Sequence, residues 1–242
     1  MKKNKFPKAS IALIIAAVLL LGVGGGIATF AAPDILSESY ESEFEMDSID
    51  VALVENGTES KNIKSKALLE SLDGKIQPGR MYDEKIAAKN LGEVNIFVRA
   101  IIRTYWVDED GDKDVNLDPA LIKFKFDDKD FNTSAWQINN QETTKERKVY
   151  YLTNALKPGK TSAPVLNKIH IDGAVLDDFS YTREVDEETG KTIYTYTYTY
   201  DGYRACIEAD VQALQPHNIN NAIKSSWGVQ NVTASGSKLT VK

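Results

Sequence analysis

Residues 94–107 read VNIFVRAIIRTYWV. Phe97, Ile101 and Tyr105 fall on one parity, and Val98, Ile102 and Trp106 on the other. Successive side chains of a β-strand point to opposite faces, so a strand apolar at both parities is covered on both sides. The stretch predicts a central strand in a layered β fold. Arg99 and Arg103 interrupt it, and each needs a partner or an exit to solvent.

The same period of two recurs on either side. Asp47 to Glu55 alternates Ile49, Val51 and Leu53 against Asp50, Ala52 and Val54, and Asn56-Gly57 stops it with turn chemistry. Met81 to Lys89 has a helix-like composition, yet Tyr82, Glu84, Ile86 and Ala88 alternate, which reads as strand. Ile122 to Phe126, Lys148 to Leu152, Val165 to Ile171, Ile193 to Leu214, Val229 to Thr233 and Lys238 to Val241 continue the series. Gln77-Pro78-Gly79, Asp110-Gly111-Asp112, Lys157-Pro158-Gly159, Asp172-Gly173 and Glu188-Thr189-Gly190 punctuate it. Helical signal is confined to Ser65–Leu72 and Asn218–Ser226. The expected fold is mainly β: a jelly-roll-like antiparallel β-sandwich with one or two short helices. Within it, Tyr194 to Tyr200 alternates tyrosine with threonine, which puts the tyrosines on one face. Cross-strand aromatic pairs on a solvent-tolerant ribbon are the plain reading. A ligand-binding tyrosine platform is the sharper one.

The N-terminus carries a different grammar. Lys2, Lys3, Lys5 and Lys8 precede an uncharged run from Ala9 to Ala32, apolar from Ile11 to Leu21 and small-residue-rich from Gly22 to Ala28. That order is the layout of a secretory signal peptide. Gly22, Gly24, Gly25 and Gly26 weaken a helix where a retained span would need one. The expected organisation is a signal peptide at 1–28, an N-terminal segment at 29–46 and a single β-sandwich domain at 47–242. Cleavage is expected after Ala28 or Ala31.

The chain of 242 residues has a formal net charge of −6. Removing the leader takes four of 29 basic residues and no acid, leaving 25 against 35 acidic residues, a net −10. Such a charge disfavours nucleic acid and anionic membranes as partners. Membrane contact is expected only before cleavage. Cys206 is the single cysteine, so no intramolecular disulfide forms. Its place between Ala205 and Ile207 predicts a buried, inert thiol. An exported chain without disulfides fits a bacterium that secretes directly to the outside.

Several short segments, taken in order, carry a resemblance. The leader ends GVGGGIATFAA (22–32). Gln77-Pro78-Gly79, Lys89-Asn90-Leu91-Gly92 and Val98-Arg99 follow, then YWVDEDGDK (105–113), RKVYYL (147–152), LKPGKTSAP (156–164), EADVQA (208–213) and Ser226-Trp227-Gly228. Together they resemble the TasA/camelysin family of exported Gram-positive surface and biofilm-matrix proteins, processed by a SipW-type signal peptidase. The resemblance implies a single jelly-roll-like β domain, and self-association or association with related matrix proteins into fibres. In such fibres the mature N-terminal segment serves as a donor strand for the neighbouring subunit. Residues 29–46 would take that role here, with Phe30, Ile35, Leu36, Tyr40 and Phe44 as anchors. Two features depart from a donor strand: Pro33 cannot donate to a ladder, and the segment is rich in glutamate.

Chemistry-bearing patterns are sparse. The two histidines, His170 and His217, have no ligand-spaced partner, whereas a zinc hydrolase needs three protein ligands. The run 108–114 places Asp108, Asp110, Asp112 and Asp114 at alternate positions, and calcium takes six to eight oxygens. It departs from the EF-hand template, with Lys113 where glycine belongs and Pro119 where the bidentate glutamate belongs. Ca2+ is therefore a candidate cofactor only through this run, which reads first as a solvated hairpin turn. No Gly-x-Ser-x-Gly and no phosphate-binding glycine loop follow the leader. The expected function is a secreted structural protein of the cell surface or biofilm matrix, without catalysis, assembling into fibres by β-strand addition. The alternatives are a secreted camelysin-type metalloendopeptidase and a calcium- or glycan-binding surface module.

Overall fold

The computed structural model describes residues 50–60, 66–67 and 77–242. These belong to one compact unit, Asp47–Lys242. The expected leader at 1–28, the segment 29–46 and the anchors Phe30, Ile35, Leu36, Tyr40 and Phe44 lie outside the described residues.

Two antiparallel sheets make the body. The first has the order β2-β1-β4-β10-β7, built from β1 (Val51–Glu55), β2 (Thr58–Ser60), β4 (Met81–Asn90), β7 (Ile122–Lys125) and β10 (Leu166–Ile171). The second runs β3-β13-β5-β9-β8, from β3 (Lys66–Ala67), β5 (Phe97–Val107), β8 (Trp136–Ile138), β9 (Arg147–Leu152) and β13 (Arg204–Leu214). A short β6 (Lys113–Asp114) folds back on the end of β5. One core joins the sheets. Leu53, Ile86, Ile122 and Leu166 of the first pack with Val98, Ile102, Trp136 and Ile207 of the second. A mainly β, antiparallel sandwich is thus the observed fold.

β5 is covered on both faces, as its two apolar parities require. Val98, Ala100, Ile102 and Trp106 face the inter-sheet core. Phe97 and Ile101 face a second cluster with Val149, Tyr151, Ile223, Trp227 and Leu239. That outer layer consists of α1 (Ile219–Ala222), a π-helical turn at Ile223–Trp227, and the hairpin β14 (Val232–Ser235) and β15 (Lys238–Val241). Arg99, on this face, finds its partners inside. It donates to Glu142 Oε1 (3.0 Å), to Gln212 Oε1 (2.6 Å) and to the Trp227 carbonyl (3.2 Å), with its guanidinium 5.2 Å from the Trp227 ring centroid. Tyr151 donates to the other Glu142 oxygen at 2.5 Å, and burial pushes its phenol pKa up.

Three expectations need correction. Ile193 to Leu214 is two strands, β12 (Thr192–Tyr198) and β13, because Asp201-Gly202 turns the chain between them with Gly202 at φ 82°. Lys66–Ala67, inside the expected helix Ser65–Leu72, is strand. Pairing with Glu208 and Ala209 of β13 outweighs the local helical preference; positions 68–72 lie outside the described residues. Cys206 is half-buried rather than fully buried, and burial raises its thiol pKa.

Candidate functional site

Between β10 and β13 the chain leaves the sandwich. Among the described residues β11 (Phe179–Val185) and β12 (Thr192–Tyr198) pair only with each other, in a seven-pair antiparallel ribbon from Phe179↔Tyr198 to Val185↔Thr192. Every residue of both strands is exposed. The register sorts the side chains. Phe179, Tyr181, Tyr194, Tyr196 and Tyr198 share one face; Ser180, Thr182, Thr195 and Thr197 share the other.

The rings form a continuous zigzag. Phe179 touches Tyr198 and Tyr196, with centroids 5.7 and 5.4 Å apart; Tyr181 touches Tyr196 and Tyr194, both at 5.9 Å. Interplanar angles of 39–65° make these tilted and edge-to-face pairs, the arrangement that the aromatic quadrupole prefers. The phenol groups of Tyr181, Tyr194, Tyr196 and Tyr198 make no hydrogen bond among the described residues.

The ribbon is closed at both ends. At the tip, Asp186 Oδ1 accepts the backbone N–H groups of Glu188 and Thr189, both at 2.9 Å, and Gly190 turns at φ 66°. The Thr189 and Glu188 amides hold the Asp186 pKa below its ordinary value. At the base, the Thr199 hydroxyl donates to Asp178 at 2.9 Å.

Tyr198 also lines a groove of about 710 Å³ that includes Trp106, Tyr200, Asp201, Tyr203 and Arg204. Trp106 and Tyr200 meet edge to face at 4.9 Å. The Tyr203 hydroxyl donates to Asp114 at 3.0 Å, a bond that raises the Tyr203 pKa. The turn at Gly202 lies close against the acidic loop: a Cβ there would come within 3.2 Å of Glu109 Oε1. Aromatic faces therefore run from the groove floor out along the ribbon.

The other singled-out residues are placed as follows. Asp108, Asp110 and Asp112 lie in the β5–β6 turn, and Asp114 in β6 opposite Trp106. Asp108 Oδ1 accepts the Asp112 amide (2.8 Å), and Asp114 accepts from Asn116 and Tyr203. The Asn116 amide holds the Asp114 pKa low. Among the described residues no group of three or more His, Cys, Asp or Glu is arranged to hold a metal ion. His170 stands on the outer face of the first sheet, opposite Lys123, and its Nδ1 is buried without a hydrogen-bond partner. Burial, then the Lys123 charge, holds its pKa below the ordinary value. Glu55 and Glu84 are buried carboxylates of the first sheet, and Asn56 donates to Glu84 at 3.0 Å.

The sequence reading took up the tyrosines of β12 but missed Phe179, Tyr181 and the groove. Folding back about the Asp186–Gly190 turn would have paired FSYTREV with TIYTYTY and revealed the first two. The joining of Trp106 to Tyr200, nearly a hundred residues apart, has no local signal. Tyr200, expected to continue the tyrosine face, sits past the end of β12 and packs on Trp106 instead. No family model matches the chain, and no curated protein or solved structure matches it either.

Proposed function

We propose that this protein is an exported structural component of a bacterial cell surface or matrix that assembles into fibres by β-strand addition. The observation that carries the reading is the β11–β12 ribbon, whose two seven-residue edges pair with no other strand among the described residues. Sheet edges with unpaired N–H and C=O groups are templates for an added strand. A lone two-stranded ribbon is marginal in water, so a third strand stabilises it. The contrast with β7 supports this: that free edge is four residues long and carries Lys123 and Lys125, the usual protection against pairing. In this reading residues 29–46 supply the added strand, with Phe30, Ile35, Leu36, Tyr40 and Phe44 setting its register in a jelly-roll-like neighbour. A head-to-tail contact of that kind gives open filaments unless it closes into a ring.

The test is electron microscopy of the mature chain beside one lacking residues 29–44. Fibres from the first and none from the second are expected. A mature chain that stays monomeric at high concentration, in acid and in salt, would overturn the reading. Metal-dependent proteolysis by both forms would replace it with the endopeptidase alternative.

A further inference from the structure

We infer that the aromatic face of the ribbon, with the groove at its base, is a docking track for an extended polysaccharide bearing free amino groups. The inference concerns the ribbon's face, not its edges, and stands apart from strand addition.

Among the described residues, most of the exposed large apolar side chains lie on this ribbon. On the aromatic face Phe179, Tyr181, Val185, Tyr194, Tyr196 and Tyr198 are exposed, Tyr181 at 60% and Phe179 at 44%. A contiguous patch of that kind marks a binding surface. Its shape selects the partner. Seven residue pairs make a track about 23 Å long and about 10 Å wide. A face of a few hundred Å² falls well short of the roughly 800 Å² per partner that a stable protein pair buries. A single extended polymer lying along the track is not subject to that requirement. Four phenol groups without hydrogen-bond partners among the described residues offer donors and acceptors beside each ring face. A sugar ring matches that pattern, with apolar C–H faces to lie on the rings and hydroxyls around its rim.

Charge selects further. Asp177, Asp178 and Asp201 at the base and Asp186, Glu187 and Glu188 at the tip outnumber Arg183 on the aromatic face, Lys191 near the tip and Arg204 in the groove. That surplus repels anionic polymers and a second copy of the same ribbon. It attracts cations, which also gain from lying over tyrosine faces. Asp201, within the groove beside Tyr198 and Tyr200, is placed to pair with an amino group at the inner end of the track.

The experiment uses the mature chain and three probes: a β-1,4-linked glucosamine hexamer, its fully N-acetylated counterpart, and hexalysine. Binding is read by calorimetry at low and high salt. The glucosamine hexamer is expected to bind about tenfold more tightly than the acetylated one, with the gap closing as salt screens the carboxylates. Tyr181→Ala with Tyr196→Ala should abolish binding, and Tyr181→Phe with Tyr196→Phe should retain part of it. Circular dichroism checks that both variants keep the sandwich. Unchanged binding in the alanine pair, or no binding of the glucosamine hexamer, overturns the inference. Hexalysine binding as tightly as the sugar also overturns it and transfers the surface to a basic peptide. Fibre formation is scored on the same samples. Fibres that persist while sugar binding is absent refute the track alone; sugar binding by a chain that forms no fibres refutes strand addition alone.

Discussion

β5 with β13 and β11 with β12 are written in the same alternating grammar and end in opposite environments. The first pair runs in register from Phe97↔Leu214 to Val107↔Arg204, and β5 lies between two apolar clusters. The second pair is exposed on both faces throughout. Alternation therefore specifies an extended backbone and the sorting of side chains, but not whether either face is covered. In the first pair, burial of apolar area drives association. In the second, cross-strand ring contacts and the Asp186 turn take its place, each a contribution of order 1 kcal/mol or less.

The sharpest way to break the comparison is to damage the buried pair. Arg99→Ala leaves the part-buried Glu142 without its cation and should cost about 3 kcal/mol in chemical denaturation. A loss under 1 kcal/mol would mean that water reaches this network. Ile102→Ala, at a fully buried position of the inter-sheet core, should cost about 2–5 kcal/mol. A near-zero value would move β5 to an edge and dissolve the contrast. Tyr181→Ala should change global stability by less than about 0.5 kcal/mol. The amides of β11 and β12 should nonetheless lose protection in hydrogen exchange, because the ribbon opens independently of the sandwich. A global shift as large as that of Ile102→Ala would tie the ribbon to the core.

The smallest effect concerns His170. Its pKa in the fold is lowered, by burial first. The unfolded chain then binds the proton at higher pH than the fold does. This contribution to stability is full above the ordinary histidine range and declines as pH falls through it. His170→Gln should flatten the stability profile between about pH 7 and pH 5. A profile steeper in the variant would mean that the protonated ring is favoured by the fold.

The sequence made some of this legible for physical reasons. VNIFVRAIIRTYWV carries its double burial in two apolar parities, and Met81–Asn90 is strand because alternation outweighs a helix-like composition. Asn218–Ser226 is helical, though as one α turn running into a π turn. The need for a partner at Arg99 was visible; its identity was not, because Glu142, Gln212 and Trp227 are 43 to 128 residues away. The site was half legible. The β12 tyrosines stand out locally, whereas Phe179 and Tyr181 depend on pairing across a turn, and the groove depends on tertiary packing between β5 and the Tyr200 turn.

The outer layer over β5 has a bearing on the order of synthesis. Phe97, Ile101, Val149 and Tyr151 are covered by residues 223–239, which follow every strand that they protect. While the chain grows from its N-terminus, the second sheet can pair and close on the first, yet its outer apolar face stays open to water until that late segment emerges. A chain stopped after Leu214 would present Phe97 and Tyr151 to its surroundings as a sticky face. Completion of the layer is thus the step that separates a closed fold from an aggregation-prone one.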